Sequence, residues 1–321
     1  MQFLSPLHSL ESQHHFTLVT LLPPCGSDLY EPHFLSKKLR EEGHEVFLLS
    51  RSKKQIEGIT KVYQWDIKRS WIEEGALAGK DIVIHLAGEN IGEQAWTSQN
   101  RKRILESRTR STDLLVQELK KESKLPKKIL CASAIGFYGS SSEKVFTEQD
   151  GPGVGFAAEV TKQWELATDQ FRSLGISCSQ VRIGIVLSTQ GGAMPQMMLP
   201  TKLFIGAPIG SGKQRMSWIH LEDLVDVFMF LLAHNVDGKL NAVAPQPVSN
   251  SEFMKALRKA MGKFNLAPSL PAFVLRLVMG ERADLVLNDQ VVSSQKLQDL
   301  GFQYNHESLE QALKDLLISS L

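Results

Sequence analysis

The apolar positions of this chain follow two periods. Residues 16–22 (FTLVTLL), 45–49, 81–90 (DIVIHLAGEN) and 128–132 are short, largely apolar runs, and 177–186 (SCSQVRIGIV) reads as another strand. Strands buried on both faces of a parallel sheet read this way. Between them, residues 32–42, 100–121 and 156–171 carry apolar positions at helical spacing, and the first of these helices ends at Gly43. Alternating strands and helices predict an α/β fold, a Rossmann-type doubly wound parallel sheet. Past about residue 190 the elements shorten, with MSWIHLEDL at 216–224 and helical stretches from Glu252, Ala272 and Ser308. The expected organisation is a loose extension over 1–15, a dinucleotide-binding domain over 16–190, and a smaller C-terminal α/β substrate lobe over 191–321. Some elements of that lobe are expected to return to the main sheet.

Composition narrows the functional classes. Thirty-six basic against 35 acidic residues, a net charge of +1, supply no global field for nucleic acid or an anionic membrane. Cys25, Cys131 and Cys178 are widely spaced and form no CxxC pattern, so they read as buried thiols in a reducing compartment, with no structural zinc site and no metal centre. No run reaches membrane length. A cytoplasmic protein is expected, acting on a small-molecule substrate with neither nucleic acid nor membrane as partner; the sequence does not fix the oligomeric state, and a homodimer is one assembly it allows.

The candidate chemistry lies where strands end. The run 81–90 stops at Gly88, and open α/β sheets hold ligands in the crevice outside the carboxyl ends of their strands. The turn after the first strand reads PPCGSDLYEP. In a dinucleotide-binding turn, glycines let main chain approach a pyrophosphate; Gly26, Leu29 and Pro32 stand at those three positions, and only Gly26 is a glycine. A non-glycine residue forced into a left-handed conformation costs roughly 1–2 kcal/mol. After the second strand, Ser50 and Arg51 offer the hydroxyl and guanidinium that a 2'-phosphate wants, or else form a solvated basic turn. Ser133 and Tyr138, in ASAIGFYG, bring a hydroxyl and a phenol near the expected crevice; a turn-capping serine and a packed tyrosine are the plainer alternatives. Asp223 reads as a helix-start acid and His220 as a packed or hydrogen-bonded imidazole.

Together HLAGENI, ASAIGFYG, VTKQWE, RIGIVLS, GGAMPQMMLP, IGSGKQRMSWIHLEDL, NAVAPQPVSNSEF and GFQYNHESLEQAL resemble an atypical, extended short-chain dehydrogenase/reductase family. Its members are labelled epimerase family protein, or nucleoside-diphosphate-sugar epimerase-like. The register runs from about residue 43 to 317. The resemblance implies a Rossmann-type domain holding NADP(H) beneath a closing C-terminal lobe. It assigns Ser50 and Arg51 to the 2'-phosphate, Leu86 and Ala87 to the turn under the ribose and phosphates, and Arg108 to the cofactor. Lys162 it assigns to the nicotinamide ribose. The sequence departs from the usual GGTGFIG turn. It also lacks the Tyr-x-x-x-Lys pair of ordinary short-chain dehydrogenases, because Ala158 stands four residues before Lys162. Ser133 and Tyr138 are the remaining candidates for proton transfer. Two functions are expected from this: an NADP(H)-dependent oxidoreductase or epimerase on a small sugar-like or carbonyl substrate, and a non-catalytic cofactor-binding sensor or interaction scaffold.

Overall fold

A strand that is apolar on both sides needs helices above and below it, and the short apolar runs receive them. The computed structural model describes residues 17–21 and 31–318. Its strands are β1 (Thr17–Leu21), β2 (Glu45–Ser50), β3 (Lys61–Asp66), β4 (Trp71–Ile72), β5 (Ile82–His85), β6 (Lys128–Ala134) and β7 (Val145–Phe146). They continue with β8 (Ser177–Ile183), β9 (Ile185–Leu187), β10 (Arg215–Met216), β11 (Trp218–His220), β12 (Gly238–Ala242), β13 (Val248–Ser249) and β14 (Val291–Val292). The main helices are α1 (Glu31–Glu41), α2 (Ser98–Leu119), α3 (Phe156–Thr168), α4 (Gln170–Ser173), α5 (Met194–Lys202), α6 (Leu221–Ala233), α7 (Asn250–Ala260) and α8 (Ala272–Met279). Short α9 (Asp284–Leu287), α10 (Gln295–Asp299) and then α11 (Leu309–Ile318) complete the described chain.

Eight strands form one sheet in the order β12-β8-β6-β5-β1-β2-β3-β4, parallel except for the antiparallel edge strand β4. The order runs outward one way from β1 through β2 and β3, and the other way through β5, β6, β8 and β12. The reversal between β1 and β5 is the topological switch point of a doubly wound sheet. The pleat divides the core. Ile82 and Ile84 of β5, with Leu130 and Val181, face the side covered by Leu35 and Leu39 of α1 and Leu224 and Phe228 of α6. Val83, Ile129, Cys131 and Cys178 face the opposite side, packed under Leu114, Leu115 and Leu119 of α2. Cys131 and Cys178 are thus the buried strand thiols the sequence predicts, whereas Cys25 lies outside the described residues.

Three boundaries differ from expectation. The strand predicted to reach Gly88 ends at His85, whose Nε2 lies 2.9 Å from Thr112 Oγ1 of α2, and Leu86–Gly88 continue as an irregular segment with Ala87 buried. The run 177–186 breaks at Gly184, where an added Cβ would lie 2.9 Å from Ser217 O. The chain therefore leaves the main sheet and β9 pairs with β11. The helix over 156–171 is interrupted at Asp169.

The later elements build a second core in which Met194, Trp218, Phe253, Leu257, Leu309 and Leu313 pack together. Strand β12 nevertheless forms the edge of the main sheet, and α6 packs on α1. Buried His220 caps α6, its Nδ1 accepting from Glu222 N at 3.2 Å, and stacks on His306 with ring centroids 3.7 Å apart. Asp223 sits in the first turn of α6, but its carboxylate accepts from Asn305 N and His306 N, which ties the C-terminal segment down. Glu222 and Asp315 approach the histidine pair closely enough to suggest a metal centre. The geometry argues otherwise: Nδ1 of His220 already accepts from the Glu222 amide, so the neutral imidazole carries its proton on Nε2, the nitrogen turned toward Asp315. No helix among the described residues is long and apolar enough to cross a membrane.

Candidate functional site

The carboxyl ends of β2, β1 and β5 lie side by side, so Ser50 and Leu86 are about 10 Å apart across two strand spacings. A cleft of about 830 Å³ opens at this end of the sheet. Ser50 is half-buried as the last residue of β2, and its Oγ accepts from Ser52 N at 3.2 Å. Arg51 is exposed, lines the cleft, and has no carboxylate within 4 Å among the described residues.

The opposite wall is made by the turn after β3. Asp66 Oδ1 accepts from Lys68 N and Arg69 N at 2.9 and 3.1 Å, and this local turn presents both cations to the cleft. From α2 come Arg103, paired with Glu89, and Arg110, 3.9 Å from Glu106. Five cations thus face three carboxylates, Asp66, Glu89 and Glu106. Helical spacing brings Arg103 and Arg110 round to the cleft, where both keep substantial exposure to solvent.

Arg108, on the same helix, stands outside that lining. It is half-buried, with its guanidinium 4.9 Å from the Trp164 ring. Nη1 donates to Ile104 O at 3.0 Å, and no carboxylate lies within ion-pair reach among the described residues. Desolvation pulls its pKa down to about 10. It lies flat against Gly88, where an added Cβ would stand 3.0 Å from Arg108 Cζ. A cation without a counter-ion over bare main chain at the switch point suits a phosphate-bearing ligand. Ser107 Oγ fixes the adjoining loop by accepting from Glu89 N at 3.0 Å. Ala87 is buried beneath this arrangement and Leu86 half-buried beside it. Gly26 and Leu29 lie outside the described residues. Pro32 falls in the first turn of α1, where its missing N–H is no loss.

Lys162 stands on α3, half-exposed, with Nζ 3.9 Å from Glu159. Ser133 and Tyr138 are placed otherwise than expected. Ser133 Oγ donates to Glu165 Oε1 at 2.7 Å; Tyr138 OH donates to Asn241 Oδ1 at 2.6 Å and accepts from Arg182 Nη1 at 2.8 Å. Both side chains are buried, and Tyr138 stacks on Phe146. Burial pushes the phenol up to about 12, since the charge of Arg182 offsets desolvation only in part. The hydroxyls are members of an internal polar network centred on the Arg182–Glu165 ion pair, where Nε–Oε1 is 2.7 Å and Nη2–Oε2 2.8 Å. Strand pleating explains this: Ser133 pairs across the ladder with Arg182, and α3 covers both.

The family model described as the NAD dependent epimerase/dehydratase family matches residues 33–243. The chain belongs to this family. A second model, a domain of unknown function (DUF1731), matches residues 270–316. Among curated relatives, epimerase family protein SAR0825 of Staphylococcus aureus is 33% identical over 286 residues, covering 88% of this chain and 94% of that protein. Epimerase family protein YfhF of Bacillus subtilis is 32% identical over 290 residues, covering 88% and 93%. Among solved structures, human epimerase family protein SDR39U1 (isoform 2) with NADPH superposes with a TM-score of 0.82 at 31% identity, covering 94% of this chain and 98% of that one. The resemblance to an atypical short-chain dehydrogenase/reductase therefore holds, and so does the Rossmann-type fold. UDP-glucose 4-epimerase of Thermotoga maritima, at 16% identity and a TM-score of 0.75, shares the fold alone.

Proposed function

We propose that this family member binds NADP(H) across the switch point and acts as an oxidoreductase or epimerase on a small sugar-like or carbonyl substrate. The observation that carries the reading is the pair of cations without carboxylate partners, Arg51 at the end of β2 and Arg108 over Gly88. One stands at the carboxyl end of β2 and the other beside the turn after β5, the two places where a doubly wound sheet would take the 2'-phosphate and the diphosphate of a dinucleotide. That human SDR39U1 was crystallised with NADPH supports the same cofactor. Arg51, with Ser50, would hold the 2'-phosphate, and Arg108 would face the diphosphate lying over Leu86 and Ala87. Lys162 would hold the nicotinamide ribose hydroxyls. The bound cofactor supplies a hydride acceptor or donor; the chain supplies charge, orientation and shelter from water.

Titration of the purified protein with NADPH and with NADH, read by cofactor fluorescence, tests the cofactor. Micromolar NADPH binding with much weaker NADH binding is expected, and no saturable binding of either nucleotide refutes the reading. Turnover with nucleotide sugars and carbonyl compounds tests the chemistry. A second reading, a non-catalytic cofactor-binding sensor, is favoured by one observation: Ser133 and Tyr138 are both committed to a buried network, and Ala158 supplies no phenol to Lys162. It requires tight NADPH binding with no turnover on any member of the panel.

A further inference from the structure

The C-terminal lobe carries an apolar surface that nothing in the fold covers. Helix α8 has no buried residue. Phe273 and Leu277, one turn apart on the same face, are 72% and 84% exposed. The helix is fastened to the segment before it, since Gly210 N donates to Leu270 O and Leu270 N to Pro208 O. That segment is fastened in turn to residues 264–266: Leu266 N donates to Phe204 O, and the Phe204 and Phe264 rings lie 4.8 Å apart. Exposed Leu203, Phe264 and Leu266 therefore continue the apolar surface of α8 across three adjoining pieces of chain. Single exposed apolar residues are ordinary, but a contiguous set of this size marks a contact surface.

The segments that build it carry charge of one sign. No acidic residue occurs between Asp169 and Glu222, nor between Glu252 and Glu281, and these two stretches supply the whole patch. Lys202 and Lys263 adjoin it in the chain, and Lys255 and Lys259 stand one turn apart on α7 just before it, none with a carboxylate in ion-pair reach among the described residues; Lys263 Nζ sits 4.7 Å over the Phe204 ring. Arg276 alone is paired, with Asp284 at 3.1 Å. The net charge of +1 for the whole chain conceals this local asymmetry. A second copy of the chain would bring one basic rim against another, so like charge opposes self-pairing through this face.

We propose that this face docks on an anionic lipid surface, with Phe273, Leu277 and Phe264 entering the acyl boundary and the lysines meeting the headgroups. Protruding aromatic and aliphatic side chains ringed by lysine are what interfacial binding requires, and neither attraction suffices alone. The proposal is independent of the cofactor reading, because the patch shares no residue with the cleft at the sheet.

The test is co-sedimentation of the full chain with vesicles of phosphatidylcholine alone and of an equal mixture with phosphatidylglycerol. Binding to the mixed vesicles, release at high salt and little binding to phosphatidylcholine are expected. Leu277→Asp should weaken that binding by about tenfold or more, and Lys259→Glu with Lys263→Glu should weaken it comparably. All these side chains are solvent-facing or rim positions, so unchanged thermal melting confirms that the variants fold. Absence of binding to mixed vesicles overturns the proposal, as does equal binding to both compositions. A dimer that Leu277→Asp dissociates while vesicle binding stays intact also overturns it, and assigns the face to a second copy.

Discussion

Replacing Glu165 by Gln isolates the buried ion pair that holds α3 to β8. Arg182 is fully buried, its guanidinium lies 3.7 Å from the Phe137 ring centre, and Glu165 takes two of its hydrogen bonds while Tyr138 takes a third. The variant leaves that guanidinium in a low-dielectric setting without its counter-ion. Lys239, 3.7 Å from Glu165 Oε2, adds positive charge and cannot substitute. Breaking a buried pair in this way costs about 3–5 kcal/mol, a large share of the 5–15 kcal/mol typical of a folded protein. At roughly 2–4 °C per kcal/mol, the melting midpoint should fall by roughly 6–20 °C. Ser133→Ala removes only one neutral donor to the same carboxylate and should cost about 1 kcal/mol. The assay is urea unfolding followed by far-UV circular dichroism on both single variants, Arg182→Gln and the Glu165→Gln/Arg182→Gln double. The expected signature is strong non-additivity, with the double variant much less destabilised than the singles sum to. A Glu165→Gln protein within about 1 kcal/mol of wild type, or strict additivity, would refute the network and with it the internal placement of Ser133.

Arg51→Ala should weaken NADPH binding about tenfold or more, roughly 1.4 kcal/mol, while leaving NADH binding and thermal melting unchanged; an equal effect on both nucleotides, measured by titration, would remove the 2'-phosphate role. His85 and His220 are both held neutral at a pKa of about 3, chiefly by desolvation, against an ordinary value of 6.5. The unfolded chain therefore binds more protons in that window, and each imidazole makes stability fall as pH drops from about 6.5 toward 3, by up to about 1.4 kcal/mol per pH unit. Urea midpoints across that range should flatten in His85→Asn and His220→Asn, and a slope untouched by either change contradicts the burial. At Gly153 an added Cβ would lie 2.3 Å from the Tyr138 carbonyl oxygen, so Gly153→Ala should cost about 2 kcal/mol or more, because backbone cannot give way. Gly151→Ala, with open space at its Cβ, is the matched control, and equal melting of the two variants would sink the prediction.

Periodicity alone carried the reading of the sheet a long way. β2, β5, β6 and β8 read as strands because helices cover both of their faces, and the polar residues that do occur there, such as Ser133 and Arg182, take protein partners. β3 is not among the elements the pattern predicts. Its KVYQWD mixes polar with aromatic residues because it lies near the edge, paired with the two-residue strand β4. The cations it delivers to the cleft, Lys68 and Arg69, went unread with it.

What the sequence by itself determined is the alternation of elements, the family, and the residue types that face the crevice, Ser50 and Arg51 at a strand end and Arg108 on the following helix. All of these are local in the chain. Only the tertiary structure decided which of those groups are free to meet a ligand. Ser133 and Tyr138 occupy strand-end positions by sequence, yet the pairing of β6 with β8 brings Arg182 and Glu165 to them, and buried polar groups without water must take protein partners. Arg108 meets no such partner across the sheet, and its guanidinium remains poised over Gly88. The difference arises from contacts between segments far apart in the chain, which no local pattern of residues encodes.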